Sequence, residues 1–277
     1  MTPHAAVFCQ LVVQGLALYA AWRLSQHSLA RGVLLGAAVG FLAISLACAD
    51  GAWLLAIVPL RDLALFGNQT PFAVGLLAGV VLGTPALARW RRMVVAGLVL
   101  FIADGATWLP LVKNPPPTAD QWAEEACLQS TDSTCAPAAA ATLLRWHGLP
   151  ASETILAAWC LTTDAGTSRW GLWRGLCIAT AGSPWIPRAG TPDMETVLNG
   201  PPAIVSVVLS SELDQREPRY RTEWGWILGQ PHAVVVLGRS MQLGKVRIAD
   251  PKIGLEEWQE SGLRDLWNSQ VVWLERR

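Results

Sequence analysis

The chain has 277 residues, of which 52% are hydrophobic and only 15% charged, too apolar for an ordinary soluble enzyme of this length and the opposite of a disordered polymer. Its 21 basic and 21 acidic residues balance overall but not by region: residues 1–117 hold 7 Lys/Arg against 3 Asp/Glu, and the remainder holds 14 against 18. The two parts face different surroundings, and with no run of like charge or basic stripe a nucleic-acid partner is disfavoured.

The first 112 residues contain four apolar stretches of the roughly 20 residues that a helix needs to cross a bilayer. They run from about Ala5 to Leu24, from Gly32 to at least Ala49 with an extension from Trp53 to Leu60, from about Pro71 to Ala88, and from about Met93 to Val112. So few charges interrupt them that burial in a large soluble core is a poor alternative, and a multi-pass cell-membrane protein in a lipid bilayer is expected. Met1 to Gln10 carries no Lys or Arg, which argues against a cleavable secretory signal there. Arg23 and Arg31 flank the first connection and Arg89, Arg91 and Arg92 crowd the third, whereas the second has Arg61 beside Asp62 and the exit only Lys113. Positive residues stay on the cytoplasmic side, so the N-terminus and everything after Lys113 are expected outside. Asp50 and Asp104 occupy similar strings, Ala-Asp-Gly-Ala, and the favoured reading is that each hydrogen-bonds between helices or sits at an interface rather than marking a transport path.

Asn114-Pro115-Pro116-Pro117-Thr118 forms a stiff extended spacer, which divides the chain into a transmembrane domain (1–113), a linker (114–123) and a second domain (124–277). The second domain reads as helices first and strands later. Ala136 to His147 is an Ala/Leu-rich helix with Pro137 in its first turn and Gly148 past its end. Ser152 caps a helix running to about Cys160, and Thr191-Pro192 introduces a shorter one ending at Asn199 and Gly200. Ala203 to Leu209, Ala233 to Leu237, Lys245 to Ala249 and Gln270 to Leu274 are short β-branched runs between turn residues. Helices followed by an antiparallel sheet indicate an α+β domain.

Cys135 heads the Ala136 to His147 helix, where unpaired N–H groups and the positive dipole end favour a reactive thiolate. Such a thiolate needs a base from elsewhere in the chain. His4 and His27 belong to the membrane half and His147 closes the nucleophile's own helix, which leaves His232 at the head of His232-Ala233-Val234-Val235-Val236-Leu237-Gly238. Asp250, closing the next strand before Pro251, is suited to orient the imidazole. Gln129, six residues before Cys135, offers a side-chain amide to a developing oxyanion beside the Cys135 N–H. Six cysteines without a Cys-x-x-Cys pair exclude a zinc ribbon, and neither metal nor cofactor is expected. Cys127, Cys160 and Cys177 read as structural, with a Cys127–Cys160 bridge left open for a domain outside the cytoplasm. Trp170, Trp173, Trp224 and Trp226 at their spacing read as core packing before a peptide groove.

Gln129 with Cys135, the strand Pro201-Pro202-Ala203-Ile204-Val205, the His232 to Gly238 run and Ile248-Ala249-Asp250-Pro251 with Gly254, in this order and spacing, resemble the C39 peptidases. These are papain-like cysteine proteases of bacteriocin exporters. The resemblance spans about residues 124–277. With the four apolar stretches ahead of it, the expected architecture is a four-span membrane domain followed by an α+β, C39-like peptidase domain with an antiparallel sheet. The resemblance implies Cys135 as nucleophile, His232 as general base, Asp250 as its orienter, Gln129 in the oxyanion hole, and a peptide or protein as substrate. The chain departs from the family in carrying Thr134-Cys135-Ala136 where members often have Asp-Cys-Gly. It also reverses the order of peptidase and membrane helices. It has no Gly-x-x-x-x-Gly-Lys-Ser/Thr loop, so no nucleotide is expected and double-glycine leader specificity is not carried over. A catalytically silent peptide-binding module and a thiol acyltransferase of the same fold are the alternatives.

Overall fold

The computed structural model describes residues 2–48, 55, 57, 59–66 and 68–277. Their contacts separate two units, Met1–Gly51 with Asp62–Lys113 and Ala52–Arg61 with Asn114–Arg277.

In the first unit, three helical stretches are long and apolar enough to cross a membrane: Pro3–Leu24, Ser28–Ser45 and Leu63–Gly83. The fourth expected segment does form a helix, Arg89–Val112, but it is not one of those three. It opens on three arginines and carries Asp104. A count of four spans therefore rests on sequence alone, and Asp50 and half of the Trp53 to Leu60 extension lie outside the described residues. Thr2 caps the first helix through its hydroxyl, which accepts from the Ala5 N–H at 3.3 Å, with Pro3 at the first helical position.

The Pro3–Leu24 and Thr70–Gly83 helices meet through glycines four residues apart. A Cβ on Gly75 would lie 2.7 Å from the Gln14 carbonyl oxygen, one on Gly79 would lie 2.7 Å from Ala21 Cβ, and one on Gly83 would overlap Ser25. Such small-residue spacing lets two backbones approach closely where lipid supplies no hydrophobic drive between helices. Polar side chains complete the packing. Gln14 Nε2 donates to Asp104 Oδ1 at 2.7 Å, Trp108 Nε1 to Gln10 Oε1 at 2.8 Å, and Gln10 Nε2 to the Leu65 carbonyl at 2.6 Å. Asp104 thus bonds between helices, as the favoured reading of that residue expects.

The second unit is built on a six-stranded antiparallel sheet. Its strands are β3 (Trp185–Gly190), β4 (Ala203–Val208), β5 (Pro231–Arg239), β6 (Lys245–Asp250), β7 (Gly254–Gln259) and β8 (Trp267–Arg276), in the spatial order β3-β8-β4-β5-β6-β7. A separate hairpin pairs β1 (Gln121–Ala123) with β2 (Ala126–Leu128). Val205, Val207, Val234, Val236 and Ile248 join one core with Tyr220, Trp226, Trp258 and Leu263. Ile204, Val235 and Ala249, which point the other way on the same strands, are also buried. The sheet is therefore covered on both faces, which is why its central strands read as continuous apolar runs.

All four expected strands form. β3 and β7 have no counterpart in the sequence reading: β3 carries Pro187 at its centre, tolerated because β3 is an edge strand, and β7 is half polar and closes the other edge. The Arg169–Ala179 helix also escaped the pattern, because Gly171 and Gly175 interrupt it. Both glycines sit against Cys160, where a Cβ would collide with its carbonyl or its sulfur. The short helix expected after Thr191-Pro192 is Met194–Leu198, and its cap is Asp193, whose carboxylate accepts from the Thr196 N–H at 2.7 Å.

Candidate active site

The helix Cys135–Trp146 begins at the cysteine itself and packs on β5, β4 and β6. Thr134 precedes it without capping it by a side-chain bond. Its hydroxyl turns back instead, accepting from the N–H groups of Ser130 (3.1 Å) and Thr131 (3.0 Å) and donating to the Thr131 carbonyl (3.1 Å). The Ala138 N–H is taken by the Thr134 carbonyl, and Pro137 has no N–H to offer. The first-turn donors that remain are those of Cys135 and Ala136, next to the thiol.

His232 is the second residue of β5 and Asp250 the last of β6. Val235 pairs with Ala249, so continuing that register one step sets Asp250 opposite Val234, two residues from His232 and on the same face. His232 Nε2 meets Asp250 Oδ1 at 2.7 Å, which leaves Nδ1 as the ring nitrogen for the thiol. Asp250 is fully buried, and Oδ1 also accepts the Lys252 N–H at 2.8 Å, an Asx-type turn that continues through Pro251 to Gly254. Gly254 has a φ of 103°, a region that favours glycine, and this lets β7 return antiparallel to β6. Trp226 Nε1 donates to the second oxygen, Oδ2, at 3.2 Å.

The electrostatics follow from these contacts. Burial alone would lift the Cys135 thiol, but the hydrogen bond and positive charge of His232, with the N–H groups of Ala233 and Ala136, outweigh it and hold the thiol below its ordinary value. Burial would likewise depress His232, yet the charge and hydrogen bond of Asp250, with a lesser contribution from Cys135, raise it to about 10. Both shifts favour a thiolate beside an imidazolium at neutral pH. Cys127 and Cys160 behave oppositely: burial pushes both up to about 12. Both are free thiols, so the bridge left open by the sequence does not form here.

Gln129 stands upstream of the nucleophile and lines a cleft with Asp132, Trp226, Ile227, His232 and Lys252. Its side-chain amide donates one N–H to the Thr131 carbonyl at 2.8 Å, while its Oε1 is buried without a partner. An amide nitrogen carries two N–H groups, so one remains for a ligand in the cleft. The Gln129 loop is fixed from beneath by Glu153, a fully buried carboxylate that accepts from the Ser130 N–H at 2.8 Å and the Ser130 hydroxyl at 2.5 Å. Lys252 and Asp132 form an ion pair between the residues that follow Asp250 and the loop that precedes Cys135.

Cys135, His232 and Asp250 thus come together, and Gln129 lines a cleft with His232. His147 does not: its Nδ1 donates to the Leu143 carbonyl at 2.8 Å and its ring meets Trp185 edge-on. Trp170 and Trp173 are core residues, whereas Trp226 belongs to both core and cleft. Glu153 escaped the sequence reading although it had one local signal, an acidic side chain directly after the Ser152 cap. Trp226 was expected as core packing, and nothing local marked it as a donor to Asp250. Among the described residues no group of three His, Cys, Asp or Glu side chains is gathered as metal ligands would be.

No family model matches this chain, and no curated protein matches it either. Among solved structures it is similar to the peptidase domain of Streptococcus ComA, a bi-functional ABC transporter involved in a quorum-sensing pathway. That likeness has a TM-score of 0.42 at 20% identity and covers 54% of this chain and 96% of the other. It is also similar to a double glycine motif protease from an AMS/PCAT transporter in complex with the leader peptide, with a TM-score of 0.41, 12% identity, and coverage of 59% and 97%. A third is the N-terminal peptidase C39 like domain of a toxin secretion ATP-binding protein from Vibrio parahaemolyticus, with a TM-score of 0.37, 10% identity, and coverage of 53% and 100%.

Proposed function

We propose that this chain is a membrane-anchored cysteine peptidase that hydrolyses peptide bonds through Cys135, His232 and Asp250. The observation that carries it is the position of His232, which is held by Asp250 through Nε2 and whose charge acts on the Cys135 thiol at a helix start. In this reading the Cys135 thiolate attacks the carbonyl carbon of a peptide bond, and the electron pair moves to the carbonyl oxygen. The Cys135 N–H and the free N–H of Gln129 receive that oxyanion. The His232 imidazolium gives its proton to the leaving amine, leaving an acyl-enzyme on Cys135. Neutral His232 then takes a proton from water as that water attacks the thioester, and the proton passes to the departing thiol, or stays on His232 beside the thiolate. Asp250 holds the ring in the required orientation throughout.

The substrate is a peptide or an unfolded protein segment, and the apolar helices of the first unit hold the enzyme at a bilayer. The arginine bias of the first and third connections puts the peptidase domain on the outer side, so its substrates are exported or membrane-embedded. The test is covalent labelling of the full chain with an electrophilic peptide probe. Wild-type protein should be labelled on Cys135, and Cys135→Ala and His232→Ala should abolish or strongly reduce that labelling. Unchanged labelling of the Cys135→Ala variant would overturn the reading.

A further inference from the structure

We infer that Trp226 is a positioning residue for this site: its indole N–H anchors the second oxygen of Asp250 and thereby sets the direction in which the first faces His232. The inference rests on the peptidase reading above.

The carboxylate of Asp250 turns about a soft torsion with broad wells. Two donors, His232 Nε2 and the Lys252 N–H, converge on Oδ1, and neither fixes the plane of the group. The Trp226 N–H, on Oδ2, does. Trp226 also stands against the imidazole itself, with ring centroids 4.8 Å apart at 55°, so one side chain limits both the carboxylate and the ring that it orients. It is itself held: its backbone N–H donates to the Tyr220 carbonyl at 2.9 Å, and its ring packs on Tyr220 and Trp258.

Burial of a tryptophan in this fold does not by itself supply an acceptor. The indole nitrogens of Trp170, Trp173 and Trp258 are buried with no partner. The bond from Trp226 to Asp250 is therefore a feature of the site and not a general property of the core. The charged or titratable groups around Asp250 are His232 from β5, Cys135 from the helix start, and Lys252, whose ammonium is engaged by Asp132. Loss of the indole donor leaves a buried carboxylate oxygen unpaired. Such a group no longer presents one fixed oxygen to His232.

The experiment follows the rate of Cys135 alkylation by iodoacetamide against pH in the full chain in detergent. It compares wild type, Trp226→Phe, His232→Ala, and a variant with β-(3-benzothienyl)alanine at position 226, which keeps the indole shape but replaces N–H by sulfur. Both position-226 variants should move the acid limb upward by roughly one pH unit, because a carboxylate whose plane is no longer fixed holds the imidazolium less well, and the imidazolium then favours the thiolate less. If Trp226→Phe fails to fold, the isosteric variant decides alone. A benzothienyl variant whose profile superimposes on wild type, while His232→Ala displaces it, overturns the role of Trp226 and leaves the peptidase reading intact. A profile that His232→Ala does not move overturns the peptidase reading instead.

Discussion

The Gln129 N–H donates to the Pro251 carbonyl at 2.7 Å, so the chain entering the nucleophile loop is fastened to the residue that follows Asp250. Two segments of the site, the oxyanion candidate and the end of β6, therefore move as one piece. Asp132 and Lys252 repeat the tie at the rim of the cleft.

Because of this tie, the side chain of Gln129 is replaceable without unfolding the loop. Gln129→Ala should lower peptide turnover by roughly a hundredfold, the effect of losing one oxyanion donor, and leave alkylation of Cys135 by small reagents within a factor of about two. Equal losses in both assays would mean that the substitution had displaced the cysteine.

The thiolate and imidazolium set opposite limbs of the pH profile. Cys135 titrates below its ordinary value and His232 near 10, so turnover should rise with pH through the lowered thiol value and fall above about 10, where the leaving amine loses its proton donor. In His232→Ala the raising effect of burial on the thiol is opposed only by the N–H groups of Ala233 and Ala136. Alkylation at pH 7 should then drop about tenfold for each unit by which the thiol rises.

For stability the sign is that of a base with a raised value. The His232–Asp250 pair stabilises the fold fully below about 6.5, the ordinary histidine value, and this contribution fades as pH climbs through about 10. Chemical denaturation at pH 6 and pH 10.5 should show a larger loss for wild type than for His232→Ala.

In the first unit, Gly79 and Gly36 should respond oppositely to leucine. A Cβ on Gly79 meets Ala21 and the Trp22 backbone, whereas one on Gly36 meets nothing within 4 Å. Gly79→Leu should cost about 1–3 kcal/mol or more through overpacking and lower the melting temperature in detergent. Gly36→Leu should leave it unchanged or raise it, since leucine is the better helix former.

Sidedness is checked with a membrane-impermeant maleimide on intact cells. Cys135 is half-buried and activated, while Cys127 and Cys160 are buried with their thiols pushed up to about 12, so modification should favour Cys135 over these two, and Cys135→Ala separates it from the half-buried Cys177. Labelling that is lost in Cys135→Ala fits an outward domain. Labelling of Cys135 only after lysis would place it in the cytoplasm.

What the amino-acid order determined by itself was whatever a short window can encode. Long apolar runs marked the membrane helices, Pro137 and Gly148 bounded the helix that Cys135 starts, and β-branched runs marked β4, β5, β6 and β8. Those runs also put His232 at the start of one strand and Asp250 at the end of the next, and Gln129 lies six residues before Cys135, so all four proposed catalytic residues could be named from the sequence. Partners far apart in the chain left no such trace. Trp226 and Asp250 are 24 residues apart, Ser130 and Glu153 are 23 apart, and Gln14 and Asp104 are 90 apart. Tertiary structure alone decided that Asp250 receives an indole donor, that a buried glutamate holds the Gln129 loop, and that β3 and β7 close the sheet around a proline and a polar strand. The physical reason is that caps and periodicity act within a turn or two of backbone, whereas satisfying a buried carboxylate depends on which distant groups the packed core brings within hydrogen-bond reach.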